Sequence, residues 1–256
     1  MKKRQFTQGF TLIEVITVVV ILSILAVLGS KFVVDSTKSY QTTQTRSRLV
    51  NTGRQAVERM SRQLRVALPY SVRITNSNAC LEFMPIVSGG NYTNPVADTV
   101  NGVTAAATLA VSPHTIDFGT AQFVSIGAIS SAEVYGLGAA SRAGLSSRTV
   151  TELTLSAAKT WQRNSLNKRF YLVDFPQAFC VVANQLRFYG NQDAASASVD
   201  TSSTYSVMAD NISSATPFGV TAGSENRNVN VLFNLTFTRS GESVAINQSV
   251  MIRNVP

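Results

Sequence analysis

A single carboxylate, Glu14, stands inside an otherwise apolar run from Phe10 to Leu28, FTLIEVITVVVILSILAVL, and Lys2, Lys3 and Arg4 precede that run in MKKRQFTQG. A charged side chain at the centre of a bilayer-spanning helix costs ~2.5–3.5 kcal/mol on insertion scales, so such a residue needs a partner. Glu14 comes four residues after Phe10, about 6 Å along a helix, where the cost is smaller yet still unfavourable. The other reactive side chains are Cys80 and Cys180, with His114 the sole histidine. A disulfide, metal ligation or a Cys–His nucleophile are the chemistries open to them. Among motif-borne chemistries, there is no P-loop, no HExxH, no GxSxG and no CxxC. With one histidine the usual acid–base and metal sets lack their parts, so the expectation is no enzyme, no cofactor and no small-molecule substrate. Asp193 and Asp200 share a polar stretch but lack the spacing of a calcium loop.

The run from Phe10 to Leu28 is 19 residues, about 28 Å of helix, close to a hydrocarbon core of ~30 Å. A secretory signal would have a shorter apolar region and a small-residue cleavage site after it. Here the small residue, Gly9, comes before the run. A cationic patch ahead of a spanning helix stays in the cytoplasm, so residues after Leu28 are expected on the far side. Two cysteines in the exported portion then read as a disulfide, because that compartment is oxidising. Closing a loop of 100 residues would stabilise by up to ~4.7 kcal/mol in the chain-entropy model. Metal ligation and a Cys–His pair have no supporting spacing.

GFTLIE, Gly9–Glu14, resembles the class III signal of the type IV pilin-like family. That resemblance implies cleavage by a prepilin peptidase between Gly9 and Phe10, N-methylation of Phe10, and retention of the apolar segment. It also implies a role for Glu14: its carboxylate meets the terminal amine of a neighbouring subunit and sets the stagger in a filament. Loss of Lys2, Lys3 and Arg4 takes the formal charge from +8 to +5 on side chains.

The elements that must position these residues follow from periodicity. No proline occurs between Phe10 and Leu68, so one helix of up to ~59 residues is expected, ending before Pro69. Its first part is apolar all round. Its outer part carries a stripe at Leu49/Val50, Gly53, Val57, Met60, Leu64 and Ala67/Leu68, in steps of three and four, which should lie on a globular body. Gly29 and Gly53 are weak points, with a bend expected at Gly29. Arg46, Arg48, Arg54, Arg59, Arg62 and Arg65 face only Glu58 there. Without interleaved aromatics they read as a solvated or subunit-contacting face, and no nucleic acid is expected. Beyond Ala79 the pattern turns to strands: Cys80–Val87, Phe123–Ile129, Thr149–Ser156, Arg169–Phe175 and Phe179–Gly190. Alternation at Val229, Val231, Phe233, Leu235 and Phe237, a turn at Ser240–Ser243, and a second run through Val244, Ile246, Val250 and Ile252 make a C-terminal hairpin. Ser88–Ser112 and Asn191–Arg227 read as long polar loops, and Trp161 as core.

Fold and resemblance agree: α+β, pilin-like, a long N-terminal helix packed on an antiparallel β-sheet domain. The expected parts are a leader 1–9, a membrane and filament-core helix 10–30, an amphipathic helix 31–68 and a β-rich domain 69–256. ALPYSVRITNSNACLEFMPIV, RFYLVDFPQAFCV and RNVP narrow the resemblance to O-type minor pilins of mannose-sensitive haemagglutinin (MSHA) pilus biogenesis, related to J-type minor pseudopilins. This implies a single-pass inner-membrane protein with a periplasmic domain that helps start pilus assembly near the filament tip. Its partners would be other minor and major pilins and prepilin peptidase. An adhesin carried by the polar loops, or a minor pseudopilin of a type II secretion system, is the alternative.

Overall fold

The computed structural model describes residues 9–113, 120–221, 223 and 228–253. The basic leader before Gly9, His114, Arg227 and most of the closing RNVP lie outside the described residues. Two compact units divide the chain, Met1–Arg48 and Leu49–Pro256.

One helix, α1, runs Leu12–Leu64 and passes through Gly29 and Gly53 without interruption. In the first unit its apolar side chains are exposed on every side, Val15, Ile16, Val19, Leu22 and Leu25 among them. An all-round apolar helix belongs in lipid or among other helices. In the second unit Leu49, Gly53, Ala56, Val57, Met60, Ser61 and Leu64 are buried, one face in the expected steps of three and four. Gly53 is a packing position: an added Cβ would collide with Ile246 Cδ1 and come within 2.8 Å of Phe237. Its lack of a side chain is what lets the sheet approach the helix.

The helix stops four residues short of Leu68. Leu68 N–H donates to the Met84 carbonyl at 2.8 Å, and Ala67 forms an antiparallel bridge with Pro85. Pro69 then opens a short 3-10 turn. A residue preceding proline is pushed out of the helical region, so strand-like pairing takes over here.

Strands come next: β1 (Arg73–Thr75), β2 (Cys80–Phe83), β3 (Ile86–Asn91), β4 (Ala106–Ala110) and β5 (Phe123–Ser125). After them follow β6 (Arg142–Arg148), β7 (Glu152–Lys159), β8 (Arg169–Val173), β9 (Gln177–Val182) and β10 (Gln185–Tyr189). The last are β11 (Tyr205–Asp210), β12 (Phe218–Thr221), β13 (Val229–Arg239) and β14 (Glu242–Ile252). They form three antiparallel sheets, ordered β1-β2-β9-β10-β11, β12-β13-β14 and β3-β8-β5-β6-β7-β4. The buried face of α1 shares its core with Phe83, Phe179, Phe233, Leu235 and Phe237 from the first two sheets. A second core on the six-stranded sheet gathers Tyr92, Trp161, Phe170 and Leu172. The architecture is α+β and pilin-like, a long N-terminal helix packed against antiparallel sheets.

Several strand expectations are corrected. Cys80–Val87 is two strands in different sheets, divided at Met84 and Pro85, because proline has no N–H to continue a ladder. Phe179–Gly190 is a hairpin rather than one strand. Ala183 and Asn184 turn the chain with φ of 49° and 62°, the left-handed pair that a two-residue hairpin turn requires. Both supposed polar loops contain strands, β4 in the first, β11 and β12 in the second. β4 gains its ladder from the distant β7, whereas β11 and β12 pair with the strands next to them in sequence, β10 and β13. The C-terminal hairpin turns at Ser240 and Gly241, with Arg239 opposite Glu242 and an unbroken register to Val229–Ile252.

Candidate assembly site

The first turn of α1 is built by Thr11 and Glu14. Glu14 N–H donates to Thr11 Oγ1 at 3.4 Å, while Thr11 N–H and Oγ1 donate back to Glu14 Oε2 at 3.5 and 3.4 Å. Thr-x-x-Glu in this reciprocal arrangement is a capping box, which satisfies helix-end donors that have no intrahelical partner. The negative charge also lies at the positive end of the helix dipole. These contacts are long for hydrogen bonds, so they orient the carboxylate without saturating it. Phe10, immediately before the cap, is 80 % exposed. Sequence reasoning singled out Glu14 for intermolecular pairing and missed its partner Thr11. The four-residue Thr-x-x-Glu pattern was the available signal.

Behind this turn the helix has the length and apolarity to cross a membrane, with none of its most apolar stretch buried in the protein. Ser23, Ser30 and Thr37 donate their hydroxyls to carbonyls three or four residues back. Their polarity is thereby absorbed inside the helix.

Cys80 and Cys180 form a disulfide across a sequence separation of 100. They lie directly opposite each other on β2 and β9, and both are fully buried. Ala178, Tyr189 and Val199 pack around them. The bond ties the first strands after the helix to the centre of the same sheet.

Beside it on β2 is Glu82, fully buried and paired to Arg73 Nε at 2.7 Å. Arg73 also donates to the Ser196 carbonyl at 2.8 Å and lies 3.6 Å over the ring of Tyr135. Burial raises the Glu82 pKa, and the hydrogen bond and charge of Arg73 offset that only in part. Burial, then the Glu82 charge, push the Tyr135 phenol well up. Asn76 accepts from Val199 N–H and donates to its carbonyl, both at 3.0 Å. The segment after β10 is therefore pinned to the sheet at Ser196 and Val199.

A second charged node is Glu133, held by Arg163 in two hydrogen bonds of 2.7 and 2.8 Å and by Ser141 at 2.9 Å. Burial raises the Glu133 pKa, but hydrogen bonds from Arg163, Ser141 and Ile129 N–H with the Arg163 charge outweigh it, and the net shift is down. Asp193 accepts from Ala195 N–H, and Asp200 from Ser202 N–H and hydroxyl. Both cap local turns, and among the described residues no three potential metal ligands cluster. The Glu82 and Glu133 carboxylates each meet a fixed arginine, while Arg73 and Tyr135 also line a surface pocket with Ser131, Ala132, Gly136 and Ser196.

Comparison with known proteins adds one finding: residues 4–30 match the prokaryotic N-terminal methylation motif. No curated protein and no solved structure matches the chain. The matched span covers Arg4, Gly9, Phe10, Glu14 and the apolar first part of the helix, and supports a type IV pilin- or pseudopilin-like protein associated with the membrane.

Proposed function

We propose that the protein is a minor type IV pilin of the MSHA type, processed between Gly9 and Phe10, methylated on Phe10, and used to initiate pilus assembly near the filament tip. The observation that supports the pilin-like part of this reading is the match over residues 4–30; the MSHA type and the initiating role rest on the resemblance of ALPYSVRITNSNACLEFMPIV, RFYLVDFPQAFCV and RNVP. Gly9 precedes Phe10 there, with one carboxylate at the third helical position of an exposed apolar helix. Cleavage removes three cations and frees an amine on Phe10. The half-satisfied Glu14 carboxylate is then available to the amine of the next subunit, which offsets the cost of burying both charges among apolar helices. The helix anchors the chain once in the inner membrane with its domain in the periplasm, and the partners are prepilin peptidase and other minor and major pilins. The protein performs no catalysis and needs no cofactor; the disulfide and the two charged nodes serve to hold the domain that the helix presents.

Mass spectrometry of the mature N-terminus should find N-methylphenylalanine. Glu14→Ala, expressed at the native level, should lower surface piliation with processing intact. A terminus that still carries residues 1–9 would sink the proposal. Loss of exoprotein export with normal pili on deletion of the gene would instead identify a type II secretion pseudopilin, and lost adhesion with normal pili an adhesin.

A further inference from the structure

Arg54, Glu58 and Arg62 in the last turns of α1 are exposed, as is Arg65 just past its end, whose N–H still donates to the Ser61 carbonyl. At 100° per residue they lie within about 80° of one another, turned on average about 120° from the buried residues Val57, Met60 and Leu64. Along the axis they span about 16 Å. Glu58 and Arg62 make only a long 3.8 Å contact, with side chains 64 % and 69 % exposed. Arg54 and Arg65 have no side-chain partner among the described residues, whereas the nearby Arg59 lies 5.7 Å from the Phe188 ring. Every cation between Leu49 and Val66 is arginine and none is lysine. Arginine presents a planar fork that pairs with carboxylates in two parallel bonds, and it is enriched at interfaces where lysine is depleted.

We propose that this face docks onto a helix of a different pilin-like chain carrying carboxylates opposite Arg54, Arg62 and Arg65 and a cation opposite Glu58. This rests on the assembly role proposed above and names the chemistry of one partner in it. The order of charge decides between occupants. A phosphate polymer or an anionic lipid surface would be drawn to the three arginines but would leave Glu58 unpaired at the centre of the face, and no aromatic side chain interleaves to stack on bases. A second copy brings the same arginine excess and one carboxylate of its own on this face. Elsewhere it has no dense acidic segment, since no twelve consecutive residues of the chain hold more than two carboxylates. A partner of alternating order satisfies all four positions and fixes the axial register, as charged pairs flanking a helix seam do.

The test uses the full-length chain in its own cells, with a photo-cross-linking phenylalanine derivative replacing Gln55, which is exposed beside Glu58. The expected product joins a pilin-like helix bearing at least three carboxylates. Reversing Arg54, Arg62 and Arg65 to Glu should lower its yield about tenfold, as the loss of three exposed charge pairs implies. Lysines in place of the partner's carboxylates should restore it. Replacement of the same arginines by Gln is the milder companion variant and should give a smaller drop. A product with a second copy of this chain, with phospholipid, with nucleic acid or with a neutral surface overturns the inference, and so does a yield indifferent to charge reversal. If Phe10 is methylated and Glu14→Ala lowers piliation while reversal changes nothing, docking fails and the assembly role stands. A chain that keeps its leader overturns both.

Discussion

At the scale of single residues, charge is either locked by a partner or left to find one outside the chain. Glu82 is the locked case: a fully buried carboxylate whose only ion-pair partner among the described residues is Arg73. Removing one partner of a buried pair strands the other charge, so Arg73→Met should destabilise the domain by about 3–5 kcal/mol in urea titration. The double variant Arg73→Met with Glu82→Leu should recover most of that loss, since two apolar groups leave no buried charge. Glu133 shows the opposite electrostatic sign. Its folded-state pKa lies below the ordinary 4.5, so the folded state binds its proton less readily than the unfolded chain. The stabilisation is complete above that ordinary value and is lost as pH falls through the folded value. Glu133→Gln should therefore cost about 1–2 kcal/mol at neutral pH. The difference from the parent should vanish in strong acid, measured by urea unfolding across the pH range. Glu82 works against this: its raised pKa adds stability at low pH that declines as pH rises through the raised value.

At the scale of elements, Gly53 separates propensity from packing. Read as part of an isolated helix it is a weak point, and replacing it by a better helix former would gain up to ~1 kcal/mol. In the fold it is the place where Phe237 and Ile246 meet the helix backbone. Gly53→Leu should lower stability by about 1–3 kcal/mol through overpacking, visible as a lower melting temperature of the soluble domain. Gly29 has nothing within 4 Å of an added Cβ, and Gly29→Ala should leave the melting temperature of the full chain in detergent unchanged. The amphipathic stripe of α1 and the C-terminal hairpin were legible because period and turn chemistry agree over many residues. The strands β4 and β11 were not. AATLA and YSVMAD alternate poorly on their own; the first is paired by the distant β7, the second by β10 across a 15-residue connection without a turn signature.

At the scale of the whole molecule, the buried cores among the described residues all lie in the second unit, Leu49–Pro256, and none of the first unit's described apolar side chains is buried. A fragment beginning at Leu49 should be soluble without detergent, monomeric by size exclusion and cooperative on heating, with the disulfide intact. The full chain should require detergent or membrane. Either an insoluble fragment or a detergent-free soluble full chain would contradict this division. Within 30 residues the amino-acid order determined the anchoring helix, the lone carboxylate beneath its end and the methylation motif, because each depends on neighbours a few positions apart. The pairing of Cys80 with Cys180 was reached from compartment and number alone. Only the tertiary structure decided that they sit opposite each other in one sheet, that Pro85 passes the chain between two sheets, that Gly53 is a contact, and that Arg73 and Glu82 are locked while Arg54 and Arg65 stand free. Those outcomes arise from contacts between segments a hundred residues apart at the disulfide and 193 apart at Gly53 and Ile246, and such contacts are chosen by the summed packing of the fold, to which no local pattern gives access.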